Sequence, residues 1–299
     1  MNKIHSKVWN RALNQLVVAS EIATCHRGGS SGQGRRRSPS RGFAPVALTL
    51  LMAAGWIGWN GSAAAQAVDC TAAPYNAYNS TASCMGYGAA SSGIGATAIG
   101  SLAKANVLGA LALGYSSTSN AQNGIAIGFG AYSNAINSVY LGARTANGTG
   151  ALAAGAIGIG TDVTVSGPNS IAIGTQAGST AGQGVAMGIN ARVSAAAGTA
   201  VGPAVTVAGV GAVGMGNGAS VDANSANSVA IGSASTAVGA QNAVALGTSA
   251  AASNGQATAL GGFTVAKGEG ATAAGLSSQA TFAHSTAIGW QAYSTALNA

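Results

Sequence analysis

The sequence predicts an all-β chain wound as a parallel solenoid of about fourteen 14-residue coils. Three observations predict it. A glycine closing motifs such as TAIG, IAIG and VALG recurs as Gly100, Gly114, Gly128, Gly142, Gly160, Gly174, Gly188, Gly202, Gly216, Gly232, Gly247, Gly261, Gly275 and Gly289, and ten of the thirteen steps between neighbours span fourteen positions. The other three steps span eighteen, sixteen and fifteen positions, the last two flanking Gly232. The residues around this glycine repeat by type as well as by spacing, as a stack of equivalent units requires. The composition is the third: 47 Gly, 48% hydrophobic and only 6% charged residues among 299 suit neither a conventional soluble enzyme nor a disordered chain. Collagen is excluded, since glycine is not every third residue and there are 5 Pro.

Each coil begins with a short strand. Three places before the glycine, thirteen of fourteen residues are β-branched, for example Ile125, Val185 and Thr258, the type that fits a pleated strand. One place before it stand Ile, Leu, Val, Met or Ala, as at Ile127, Met187 and Leu260. Residues two apart share a face, so the two columns are read as the apolar core face. The column between them holds eleven Ala, Gly158, Gly214 and Tyr140. It is read as pointing outward, where small residues permit close approach of another surface. After the glycine, a second short segment rich in Ala, Ser and Val follows, as in Ala191–Ser194 and Val205–Val207. The glycine itself is expected to need positive φ or close backbone approach. One unit cannot bury its face alone, so the units stack. With one or two medium side chains per layer the core is thin, and further burial by association is expected.

The net charge of +7 resides in residues 1–67, where eight Lys and Arg face Glu21; residues 68–299 carry four cations and four anions. No basic face for nucleic acid is therefore expected on the body. Residues 43–59 are an uncharged apolar run after GRRRSPSR and before NGSAAAQA, the order of a secretory signal. A-x-A patterns end at Ala65 and Ala67, and cleavage is placed after Ala67; a retained anchor is the alternative, at the short limit for spanning. The preceding block, MNKI with VWNRAL (Val8–Leu13) and VVASE (Val17–Glu21), resembles the extended signal peptide region of large Gram-negative surface proteins, notably autotransporters. Residues 1–67 are thus read as an extended signal peptide.

Residues 68–94 are read as an N-terminal cap. Cys70 and Cys84 are the cysteines left after cleavage, with thirteen residues between them. In an exported chain this favours a disulfide, and a closed loop of this size covers the solenoid end; free or intermolecular thiols are the alternative. Tyr75, Tyr78 and Tyr87 lie in the same segment, to pack over the first coil or to form a contact patch.

Residues 95–299, with x-A-I-G every fourteen residues, resemble the YadA-type head of trimeric autotransporter adhesins. The resemblance implies a left-handed parallel β-roll, three chains packed as a homotrimer, and a non-enzymatic head at the bacterial surface. It also implies an extracellular matrix protein such as collagen, or the host cell surface, as partner. Asn227–Ser235 reads NSVAIGSAS and resembles the NSVAIG-x-x-S motif associated with collagen binding in such heads; NSIAIG (169–174), NSVYLG (137–142) and HSTAIG (284–289) are related strings. Asn227, Ser228, Ser233 and Ser235 are the ligand-binding candidates, their side chains expected to be exposed, with Val229 and Ile231 in the core. The structural reading is that the motif is repeat consensus. A surface or biofilm solenoid without a dedicated receptor is the alternative function.

Other solenoids fit less well. Hexapeptide acyltransferases have period six and a catalytic His, whereas His284 is the lone histidine after Ala67. Calcium-binding repeats need recurrent Asp, and Asp69, Asp162, Asp222 and Glu269 are too dispersed for paired-carboxylate catalysis. GAIGIG (155–160) lacks a following helix pattern. No catalytic residue, metal or cofactor is expected. The last repeat breaks off at Ala299 with neither a heptad stalk nor alternating barrel strands after it. The expectation is a fragment whose stalk and anchor lie beyond it, or a product displayed differently.

Overall fold

The computed structural model describes residues 82–239, 241–294 and 296–299, together with the backbone of the strands Ser6–Asn10, Gln15–Ala19 and Asn76–Ala77. Two units form, residues 1–63 and 64–299. In the first, Ser6–Asn10 pairs antiparallel with Gln15–Ala19, Ser6 opposite Ala19.

The second unit is a parallel β-solenoid, and no helix occurs among the described residues. Each coil contributes a three-residue strand to one sheet and a two-residue strand to another. Sheet I has 15 strands, from Ser83–Met85 to Thr286–Ile288; sheet II has 16, from Asn76–Ala77 to Tyr293–Ser294. Neighbouring coils pair in register, Ile157 on Ile171 on Val185 in sheet I and Gly178 on Arg192 on Thr206 in sheet II.

The ladder begins one coil before the residue 95 boundary. Ser83–Met85 pairs with Thr97–Ile99, placing Cys84 on Ala98, and Gly86 takes the coil-glycine position with φ of 122°. Much of the segment read as a cap is therefore solenoid. Cys84 is disulfide-bonded; Cys70, its expected partner, lies outside the described residues, as do the signal cleavage site, Tyr75 and Tyr78.

The coil glycines stack as a ladder. From Gly86 to Gly289 their φ values run from 121° to 140°, a range essentially reserved to glycine. A Cβ on Gly174 would stand 2.5 Å from the carbonyl oxygen of Gly188, and one on Gly188 2.3 Å from that of Gly202. Both reasons expected for the glycine, positive φ and close approach, hold at once.

The two faces of sheet I are the reverse of the expectation. The central column is inside: Ala98, Ala126, Ala172, Ala186 and Ala245 are all fully buried. The flanking β-branched and aliphatic columns point outward and are half-buried or exposed, as in the strands Ile171–Ile173 and Val185–Met187. The alternation was legible, but its sense was not. The space between two such narrow sheets is filled mainly by small side chains, Ala, Ser and Val, from both sides, with Tyr140 the exception. The larger residues stand outside, where in-register stacking covers each with its neighbours above and below.

Packing inside this narrow space is complementary from coil to coil. Gly214 replaces the central Ala where Val205 and Val207 are both buried; a Cβ there would lie 2.9 and 2.8 Å from their methyls. Gly158 does the same beneath Tyr140, the largest fully buried side chain, whose ring carbon would be 3.0 Å away. Such volume compensation is what a close-packed interior demands.

Candidate functional site

The NSVAIG string can now be read residue by residue. Asn227 is in the left-handed region with φ of 55°, in the turn entering sheet I. Asn137, Asn169, Asn242 and His284 hold equivalent turns, with φ between 54° and 57°; Asn tolerates this conformation better than most residues. Ser228 is fully buried. Its Oγ accepts a hydrogen bond from the Ala243 amide (3.0 Å) and donates to the Ala226 carbonyl (3.4 Å). Val229 and Ile231 point outward, Ala230 inward, and Gly232 joins the glycine ladder. Ser235 is also fully buried, its hydroxyl donating to the Gly232 carbonyl at 3.0 Å.

The expected exposure of Ser228 and Ser235 is therefore corrected: both serve the interior, because small hydroxyls satisfy turn carbonyls and amides that water cannot reach. Val229 and Ile231, assigned to the core, are outside. Of the four candidates Asn227 and Ser233 are exposed, on opposite edges of the strand Val229–Ile231. The two irregular intervals flanking Gly232 add their extra residues on one edge, between Val221 and Val229 and between Ala237 and Val244. In the first of these turns Asp222 accepts the Gly239 amide at 2.8 Å and the Ser225 hydroxyl.

The longest interval, from Gly142 to Gly160, builds a second site that the sequence reading did not single out. Its extra residues lie between Leu141 and Gly150, on the edge where the chain passes from sheet I to sheet II. Asp162 of the next coil holds this loop. One carboxylate oxygen accepts the Thr145 (2.6 Å) and Ala146 (2.8 Å) amides, and the other accepts the Thr145 hydroxyl at 2.6 Å. The Thr145 hydroxyl chiefly, then the two amides, keep this carboxyl below the usual aspartate range. Beneath it the Tyr140 phenol donates to the Ala143 carbonyl (3.1 Å) and accepts the Val163 amide (3.3 Å); burial pushes its pKa up. The Arg144 guanidinium carbon stands 4.8 Å from the centre of the Tyr132 ring, within cation–π range.

Beside this loop the outer face of sheet II is hollowed into a groove of about 390 Å³. Asp162, Thr164, Gln176, Gly178, Thr180 and Arg192 line it. The signal that could have found it was in the sequence: the longest interval in the repeat, and glycines in the second strand segment at 150 and 178.

Two family models match the chain. The extended signal peptide of the type V secretion system matches residues 1–51. The YadA head domain repeat (2 copies) matches residues 91–117, 108–131, 119–142, 151–177, 239–264 and 266–292. The interval 178–238, which contains NSVAIGSAS and one wall of the groove, lies between matched stretches although its coils continue both sheets in register. No curated protein matches the chain significantly.

Proposed function

The chain belongs to the trimeric autotransporter adhesins, and from that premise we propose that it is a non-enzymatic head that associates as a homotrimer through the outer face of sheet I. An adhesin-type surface protein follows from the head repeats, and transfer across the inner membrane from the extended signal peptide; display on the outer membrane and host attachment belong to the proposal. The observation that carries it is the outward apolar stripe. Leu113, Met187, Met215, Ile231 and Leu260 are each 36–40% exposed, in an outward column of sheet I that is apolar in every coil from Ile99 to Ile288, and an exposed apolar row of this kind marks an association surface. The outer column of sheet II is mixed instead, with Lys104, Thr118, Thr164, Arg192, Thr206 and Gln279 beside Ala90, Ala251 and Val265. The association surface is thus moved from the Ala column, which is interior, to the Val/Ile/Leu/Met columns.

The non-enzymatic reading is supported by the carboxylates. Asp162 and Asp222 each hold backbone amides of a turn, and a carboxylate so engaged is positioned for structure rather than proton transfer. Host matrix protein, collagen included, is the proposed ligand class for edges carrying Asn227 and Ser233, and three copies would add avidity. A Cys70–Cys84 bridge tying the first coil remains part of the proposal.

Sedimentation equilibrium on the purified chain tests the association. The parent is expected to sediment as a trimer and Ile173→Glu as a folded monomer, because an unpaired carboxylate buried in the interface costs about 3 kcal/mol or more. Thr206→Glu, on the outer face of sheet II, should remain trimeric. A parent that is fully folded by circular dichroism yet monomeric at micromolar concentration refutes the proposal.

A further inference from the structure

Gly178 is a glycine that its backbone does not require. Its φ lies outside the left-handed region, and a Cβ would meet nothing nearer than the Thr164 carbonyl oxygen at 3.8 Å. Its position in the outer column of sheet II is held elsewhere mostly by larger residues, as at Thr206, Val265 and Tyr293; Ala90 and Ala251 are small, and the other glycine, Gly150, is required by its φ of 129°. Its missing side chain leaves the groove floor open. The next coil places Arg192 there, exposed, its guanidinium without a partner among the described residues. The opposite wall is the Asp162-pinned loop, and Thr164, Gln176 and Thr180 complete the lining.

We propose that this groove is a binding site for a neutral oligosaccharide, with Arg192, Gln176, Thr164 and Thr180 hydrogen-bonding its hydroxyls and Gly178 giving the sugar ring room against the sheet. The ligand class follows from the donors on offer. The backbone amides of this region are taken by coil-to-coil bonds, Thr164 to the Ala177 carbonyl and Gly178 to that of Ala191, so an extended peptide cannot add to the sheet here. Hydroxyl, amide and guanidinium groups remain, the Thr180 hydroxyl donating to the Val193 carbonyl at 3.4 Å and still able to accept, in a mixture of donors and acceptors that a polyol matches. Asp162 offsets Arg192 in formal charge, and the lining holds no cluster of cations of the kind that selects acidic ligands. Its volume falls in the range of small-ligand sites, roughly 300–1,000 Å³. The proposal is independent of the matrix-protein reading and requires only that the outer face of sheet II stay free when chains associate.

The test is an array of neutral oligosaccharides of hexoses and N-acetylhexosamines, printed beside sialylated and sulfated counterparts and probed with the purified chain, followed by titration of the best neutral binder. The parent should bind at least one neutral oligosaccharide. Gly178→Val fills the floor with a side chain that strands favour, and Arg192→Ala removes the free donor; each should weaken binding at least tenfold. Thr236→Val, on the same sheet face but remote, should leave it unchanged. Circular dichroism and gel filtration establish that each variant is folded. Binding restricted to the acidic saccharides, no saccharide binding at all, or a folded Gly178→Val that binds as the parent does would each overturn the assignment.

Discussion

Replacing Gly174 by Ala and, separately, Gly178 by Ala makes the same chemical change twice in one coil, four residues apart, with opposite expected results. At Gly174 φ is 126° and the new Cβ would stand 2.5 Å from the Gly188 oxygen and 2.6 Å from its carbon. Those atoms cannot swing aside like a side-chain tip, because the Gly188 amide is itself bonded to the Ile173 carbonyl at 2.8 Å. The strained conformation costs about 1–3 kcal/mol and the forced insertion about 1–3 kcal/mol more, so a loss of about 2–6 kcal/mol is expected, a large share of a typical total of about 5–15 kcal/mol. At Gly178 the conformation is open to any residue and the Cβ has space. There Ala restricts the unfolded chain and should stabilise by about 0.4–1 kcal/mol. Urea unfolding followed by circular dichroism gives the global comparison. Because each coil touches only its neighbours, amide exchange at Gly188 should show the largest local acceleration in the Gly174→Ala chain. A Gly174→Ala protein with the same unfolding midpoint as the parent, or a Gly178→Ala protein equally damaged, refutes the glycine-ladder argument.

Three further outcomes are expected. Tyr140→Phe should lose about 1–2 kcal/mol because the Val163 amide and Ala143 carbonyl lose their buried partner, whereas Tyr140→Ala should lose about 3–5 kcal/mol through the cavity left; calorimetry distinguishes them. The depressed Asp162 pKa means that its support of the 143–147 loop is present above the unfolded aspartate pKa near about 4 and disappears as pH falls through the lower folded value. Amide exchange at Thr145 and Ala146 over an acid titration should follow that sign, and loop protection that rises on acidification would contradict it. Asn227→Gly should fold normally, since Gly95 and Gly211 occupy the equivalent turn, while Ser228→Ala should destabilise by about 1–2 kcal/mol by orphaning the Ala243 amide. In a collagen-binding assay only the exposed pair, Asn227→Gly with Ser233→Ala, should reduce binding, and a loss confined to Ser228→Ala would mean that the buried assignment is wrong.

By itself the sequence determined the architecture, because period and residue type are one-dimensional properties. The regular spacing of Gly100 to Gly289 and the β-branched residues three places before each glycine sufficed for strand, turn and stacking. The same spacing also marked where the coils depart from regularity, between Gly142 and Gly160 and on either side of Gly232. Only the tertiary structure decided which way each column faces. Alternation is unchanged when a strand is turned over, and the choice depends on the gap between two sheets, which pairing and side-chain volume set together. Hence Ala172 is interior and Ile171 and Ile173 are outside, contrary to the usual ranking of hydrophobic residues. Ser228 and Ser235 looked like surface polar residues for the same reason: nothing local reveals that a hydroxyl bonds a neighbouring coil's amide or a turn carbonyl inside the stack. The groove was further from view, since Gly178, Asp162 and Arg192 lie in successive coils. They converge only when fourteen residues of chain are wound into a single layer of the stack.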